Sequence, residues 1–178
     1  LSYRSSSELD SPLPFIFPVI SQVTVSDGLG HDYSTTYSYS GGRYDAPSKE
    51  FRGFARAEIR DAEANVAITE FHQDDHKKGR PFRAEFRDTF GNLWTKQEHA
   101  WSCLESYPGV HFTKLDQTDA FTYNGDVTFR QVRSKFTYDA HGNLVKTDEE
   151  GDAAIAGDER STRTEFFYDV PAWLLNRP

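Results

Sequence analysis

The sequence predicts an all-β fold of antiparallel strands and hairpins, a strip of a larger curved sheet. Three observations carry that reading. Side chains alternate with period two over long stretches, as a pleated, half-exposed surface requires. The 14 Phe, 9 Tyr and 3 Trp are set among Thr, Ser and Val, the mixture that suits strands. An aspartate-led turn signature recurs along the chain.

Residues 1–18, Ser-rich and carrying Pro12 and Pro14, read as an extended lead-in, and residues 19–178 as the β region. Val19, Val23 and Val25 share one strand face. After a turn at Asp27 to Gly30, Tyr33, Thr35, Tyr37 and Tyr39 share one face of the next strand. Beyond a corner, the alternation from Phe51 to Ile59 predicts a strand whose hairpin partner is Val66 to Phe71. The polar run from His72 to Gly79 is a loop, Phe82 to Phe86 the next strand, and Leu93 to Trp101 its return. Gly109 to Leu115 reads as a further strand. Asn124-Gly125 is a two-residue hairpin signal joining strands around Phe121 and from Val127 to Val132. The acidic, small-residue stretch from Asp148 to Arg160 reads as a mobile loop, and Thr162 to Tyr168 as the last strand.

The repeat aligns Asp27-Gly-Leu-Gly30-His31, Asp61-Ala-Glu-Ala64-Asn65, Asp88-Thr-Phe-Gly91-Asn92 and Asp139-Ala-His-Gly142-Asn143. Its mechanism is turn chemistry. The carboxylate accepts from backbone N–H groups ahead of it, the fourth residue takes a positive φ, and the next Leu or Val re-enters the sheet. The starts lie 34, 27 and 51 residues apart, which argues against a regular solenoid and for hairpins of unequal length.

Composition narrows the functions. Twenty-eight acidic against 20 basic residues, net −8, leave no basic surface for nucleic acid. Cys103 is a lone cysteine, so no disulfide forms within the chain, and it reads as a small core residue without a partner among the histidines. No stretch approaches the ~20 apolar residues of a membrane-spanning helix. The chain has no methionine, so Leu1 reads as a boundary within a longer protein and no localisation follows from the N-terminus.

His72-Gln-Asp74-Asp75-His76 is the best metal candidate, because imidazoles and carboxylates lie close in sequence. A loop gives them no common face, and Lys77 and Lys78 oppose a cation, so residues 72–76 read as a solvated hairpin end. Asp148 to Asp152 lacks the alternating ligand spacing of a calcium loop. Nucleophile-elbow, P-loop and dinucleotide motifs are absent. No catalytic, cofactor-binding or metal-binding residue is assigned, and no cofactor is expected.

The corner from Tyr37 to Phe54 organises the reading. Its Arg43, Asp45, Lys49, Glu50 and Arg52 are expected to be solvated charges. Tyr37-x-Tyr39-x-Gly41-Gly42-x-Tyr44-Asp45 followed by Lys49-Glu50-Phe51-Arg52-Gly53-Phe54 resembles a signature of the middle-to-C-terminal region of the insecticidal toxin complex B component (TcB) and of SpvB-like and Rhs/YD-repeat toxins. Lys49 stands where that family usually has arginine. The resemblance continues through Phe136 to Leu144, where Tyr138-Asp139 opens a YD-type repeat, and ends at Tyr168-Asp169 and Trp173 to Pro178. It implies a non-catalytic segment of a hollow shell that encloses a toxic effector polypeptide. Its partners would be neighbouring shell segments, the enclosed effector and other toxin-complex subunits, in a secreted bacterial toxin. Bare strand edges, Tyr33 to Tyr39 or Thr162 to Tyr168, would then favour self-association. The alternative is a carbohydrate-binding or adhesive β module using Trp94, Trp101, Trp173 or the tyrosines, or a glycoside hydrolase with paired carboxylates.

Overall fold

Period-two strands joined by tight turns give a chain that runs up and down beside itself. The computed structural model describes residues 1–5 and 13–177, so part of the lead-in and the closing Pro178 lie outside the described residues. The strands are β1 (Ser2–Ser5), β2 (Pro18–Ser26), β3 (Asp32–Ser40), β4 (Tyr44–Asp45), β5 (Glu50–Phe51), β6 (Arg56–Arg60), β7 (Val66–Phe71) and β8 (Pro81–Arg87). They continue as β9 (Leu93–Tyr107), β10 (Val110–Tyr123), β11 (Phe129–Tyr138), β12 (Leu144–Asp152), β13 (Arg160–Arg163), β14 (Phe167–Asp169) and β15 (Leu174–Arg177). Eleven form one sheet in the order β1-β2-β3-β6-β7-β8-β9-β10-β11-β12-β13, with β4–β5 and β14–β15 as separate hairpins. Every pairing is antiparallel. No α-helix occurs among the described residues.

Because strands alternate in direction, successive connections fall on opposite rims. The turns at Asp27, Asp61 and Asp88 and the Asn124–Thr128 loop share one rim. The β4–β5 corner, the His72–Arg80 loop, the Pro108-Gly109 turn and the Asp139 turn share the other. The spacings of 34 and 27 residues are each one trip down and back. The spacing of 51 carries the fourth copy to the opposite rim.

The sheet buries little of itself. Val19, Val66 and Phe121 are the buried hydrophobic side chains among the described residues. The chain exposes 11783 Å², where a compact monomer of this size would expose about 8,800 Å². A second layer over either face would supply the missing burial.

Several sequence boundaries shift for physical reasons. The predicted strand from Phe51 to Ile59 breaks at Gly53 (φ 79°), so its first part pairs with β4 and its second with β3. The expected strands at Gly109 to Leu115 and around Phe121 are one strand, β10, with a bulge at Asp116. The Asn124-Gly125 turn is a five-residue loop closed by Tyr123 opposite Phe129. Asn124 is not among the positive-φ residues, as the first central residue of a type I′ or II′ hairpin turn would be, and Val127 lies in the loop. Asp148 to Asp152 belong to β12, where Asp148 pairs with Lys146 (2.6 Å), Glu149 with Arg160 (2.5 Å) and Asp152 with Arg130 (3.1 Å). Cations on both flanks make that acidic run a strand. Thr162 to Tyr168 divides between β13 and β14. Ser2–Ser5, inside the expected lead-in, pairs with β2. Tyr33 to Tyr39 is interior, bonded to β2 and β6; the outer strands are β1 and β13.

Candidate functional surfaces

The repeated turns are built alike. In the Asp61, Asp88 and Asp139 copies one carboxylate oxygen accepts from the backbone N–H groups two and four residues on (2.8–2.9 Å), and the other from the Asn side chain (2.9 Å). In the Asp27 copy His31 Nδ1, 2.7 Å from the second oxygen, takes the place of the Asn amide. The fourth residue is left-handed in all four: Gly30 (97°), Ala64 (66°), Gly91 (85°) and Gly142 (87°). Donors outside the motif add to two copies. The Asn92 side chain, the Trp94 indole N–H and the Asn92 and Phe90 amides hold the Asp88 carboxyl at about 2. Partial burial pushes the Asp139 carboxyl up, but donation from Tyr168, Asn143 and the His141 amide outweighs it and holds it at about 2. Tyr168 and the Asn143-to-Leu175 carbonyl bond (2.6 Å) fasten the β14–β15 hairpin to this turn.

At the corner, Phe15 meets Tyr44 and Phe51 edge-on at 5.3 and 5.7 Å, Phe17 lies 5.0 Å from Phe51, and Phe54 bridges Phe51 and Tyr39. In the same corner Arg52 is buried, contrary to the expectation of solvated charge. Its guanidinium bonds Asp75 from the β7–β8 loop and lies 3.3 Å from Asp45. Burial pulls its pKa down, but those two carboxylates outweigh it and the net shift is upward. Gln73 closes the corner by donating to the carbonyls of Gly41 (2.7 Å) and Gly53 (2.9 Å).

The two faces of the main sheet differ. On one, register aligns Arg56, Glu58 and Arg60 with Glu70, Arg83, Glu85 and Arg87, and these with Lys96, Glu98, Asp119 and Arg133. Glu85 takes Arg83 and Arg87 (2.8 Å), and Asp119 takes Arg133, Gln131 (both 2.7 Å) and Gln117 (2.6 Å). On the other face Tyr37, Ile59, Ala67 and Phe86 form a row across β3, β6, β7 and β8. Farther along that face the facing pair Val25 and Tyr33 stand open to solvent at 61% and 53%.

Trp94 and Trp101 form no common platform of the kind the sugar-binding alternative would use. Trp94 and Trp101, seven residues apart on β9, point to opposite faces. Trp94 is tied to Asp88, and Trp101 donates to the Pro81 carbonyl (2.7 Å) beneath Arg80. Burial would raise Glu85 and Asp119, but arginine and amide donors bring both below the usual range, whereas a glycosidase acid needs its pKa raised.

The His72–His76 group does not converge. His72 packs on Phe82 (5.0 Å), Asp74 caps its own turn through the His76 and Lys77 amides, and Asp75 serves Arg52. His76 instead meets His111 of β10 and Cys103 of β9. Sequence reading missed that trio because its members are 27 and 8 residues apart and no local motif joins them.

Residues 2–82 match the family described as insecticide toxin TcdB, middle/N-terminal region. The resemblance to the toxin-complex B component is thus borne out on the stretch that contains the corner, although the matched region is the middle/N-terminal one and the sequence reading named the middle-to-C-terminal one. Among proteins of curated function none matches the sequence. The crystal structure of TcdB2-TccC3 is similar at TM-score 0.71 and 15% identity, over 94% of this chain and 12% of that one. The crystal structure of TcdB2-TccC3-Cdc42 is similar at 0.70 and 15%, over 94% and 12%. The Photorhabdus luminescens Tc holotoxin pore carrying TccC3-D651A is similar at 0.68 and 16%, over 77% and 10%. The chain spans about a tenth of those chains, and what it shares with them is the fold.

Proposed function

We propose that this chain is a non-catalytic wall segment of a secreted toxin-complex shell, enclosing and helping to deliver an effector polypeptide alongside other toxin subunits. The observation that carries this reading is the bare single-layer sheet. Val25, Tyr33, Ile59 and Phe86 stand exposed on one face, three apolar side chains are buried among the described residues, and the exposed area exceeds that of a compact monomer of this size. A sheet so built is completed by neighbouring sheet or by enclosed chain. The family match over residues 2–82 and the shared fold of the TcdB2-TccC3 structures support the same assignment. The main sheet ends in β1 and β13, and these edges are where adjoining strands of the parent would add.

Limited proteolysis of the parent protein, with the effector polypeptide co-produced, tests this. The effector is expected to resist digestion in the intact parent and to become cleavable when Gly142→Val opens the sheet. Equal digestion of the effector with and without the parent would overturn enclosure.

A further inference from the structure

The geometry points to a divalent transition-metal site, of the kind that takes Zn²⁺, formed by His76, Cys103 and His111. One ligand atom from each lies within 4.8 Å of the others. The long β9–β10 hairpin outruns β8, and the β7–β8 loop packs along the part of β9 that β8 leaves uncovered. Trp101 donates to the Pro81 carbonyl at one end of that loop (2.7 Å), and Thr113 Oγ1 to the His76 carbonyl at its middle (2.8 Å). Cys103 pairs in register with Thr113, and His111 lies two residues before it on the same face. Two strands and a loop thus aim a thiol and two imidazoles at one point.

The donor set selects the ion. A thiolate with two imidazoles suits Zn²⁺ held tetrahedrally by three protein ligands, with the fourth position left to water or to a side chain of an adjoining chain. Bonds of about 2.0–2.3 Å in a tetrahedron set ligand atoms roughly 3.3–3.8 Å apart, so atoms lying within 4.8 Å need to draw in by no more than about 1–1.5 Å. His76 is on a loop and exposed, which allows that movement. Its ring already lies 3.9 Å from His111, tilted by 32°. The lysines that opposed a cation in the sequence are neutralised in the fold: Lys78 pairs with Glu50 (2.5 Å) and Lys77 faces Asp74 (3.6 Å). The bound ion would tie the β7–β8 loop, and with it Asp75 and Arg52 of the corner, to the β9–β10 hairpin.

Co²⁺ added to the reduced chain reads out both thiolate and geometry. The expected spectrum has a thiolate-to-cobalt charge-transfer band and the intense visible bands of tetrahedral Co²⁺, both removed by Zn²⁺. Cys103→Ser is expected to abolish the charge-transfer band. His76→Gln and His111→Gln should each weaken Co²⁺ binding by at least about tenfold, the lower bound for losing even an outer-sphere partner. His31→Gln, on the opposite rim, should change nothing. Alkylation of Cys103 in the unaltered chain gives a readout that needs no variant to fold: Zn²⁺ should slow it and a chelator restore it. No charge-transfer band, a band that survives both histidine replacements, or alkylation indifferent to Zn²⁺ would overturn the site.

Discussion

The corner around Phe51 and the open arm from β9 to β12 hold together in different ways. In the arm, the backbone ladder is joined by contacts between facing strands, ring pairs such as Phe112 with Tyr138 and Phe121 with Phe129 and ion pairs such as that of Asp119, which has Gln117 and Gln131 as well as Arg133. At the corner the connection between β3 and β6 folds back over the sheet. Side chains far apart in sequence, Phe15, Tyr39, Phe51, Arg52, Gln73 and Asp75, close around one another there. A single-layer sheet gains a third dimension only where a connection leaves its plane. That is where one substitution reaches many contacts.

Arg52→Ala is expected to lower the melting temperature more than any single change in the arm, because Asp45 and Asp75 both lose a charged partner and a buried side chain is removed from the corner. Arg133→Ala, in the arm, should give less than half that fall, since amide donors remain on Asp119. Thermal unfolding of the two variants side by side decides the point. Equal falls would mean that the arm is as tightly coupled as the corner.

Within the arm, the contrast sharpens at one turn. At Gly142 (φ 87°) an added Cβ would lie 3.2 Å from the Phe112 ring, so Gly142→Val combines backbone strain with overpacking. It should cost about 3 kcal/mol. His141→Ala loses one ring contact with Tyr168 and should cost about 0.5–1 kcal/mol. Denaturant midpoints measure both, and similar values would show that the turn does not constrain its fourth residue.

These contrasts explain what could be read from the sequence. The turns were legible because carboxylate, amides and left-handed residue lie within five positions, and local chemistry writes itself locally. Strand existence was legible for the same reason, whereas the break at Gly53 and the strand character of Asp148 to Asp152 depend on partners across the sheet. Arg52 with Asp75, and His76 with Cys103 and His111, were illegible because strand register and the lie of a loop bring them together. His31 standing in for Asn shows the same turn physics met by a different residue, and Trp94 and Tyr168 add donors from outside the motif that no local pattern announces.

A smaller effect separates the turns from the rest by pH. Asp88 and Asp139 have folded pKa values of about 2 against an ordinary 3.8. A depressed carboxylate stabilises fully above its unfolded pKa, and that contribution is lost as pH falls through the folded value. Stability should therefore decline between about pH 4 and pH 2, and Asp139→Asn should flatten that decline. Denaturation at pH 5, 3 and 2 measures it, and an unchanged slope in the variant would remove Asp139 from the account.

The smallest expected change is a gain. Three copies of the turn place glycine at the left-handed fourth position, but the second places Ala64 at φ 66°. An L-residue there carries roughly 1–2 kcal/mol of strain, against about 0.4–1 kcal/mol of extra unfolded-chain freedom that glycine would bring. Ala64→Gly should thus stabilise the chain by about 0.5–1 kcal/mol, with the Asp61 hydrogen bonds to Glu63 and Asn65 unchanged. The same exchange reversed, Gly91→Ala, should destabilise by a similar amount, because Gly91 occupies the equivalent place at φ 85° with nothing within 4 Å of an added Cβ. Opposite signs from two turns on one rim would isolate the backbone term from packing. A loss of stability in Ala64→Gly would mean that the alanine methyl makes a contact worth more than the strain it bears.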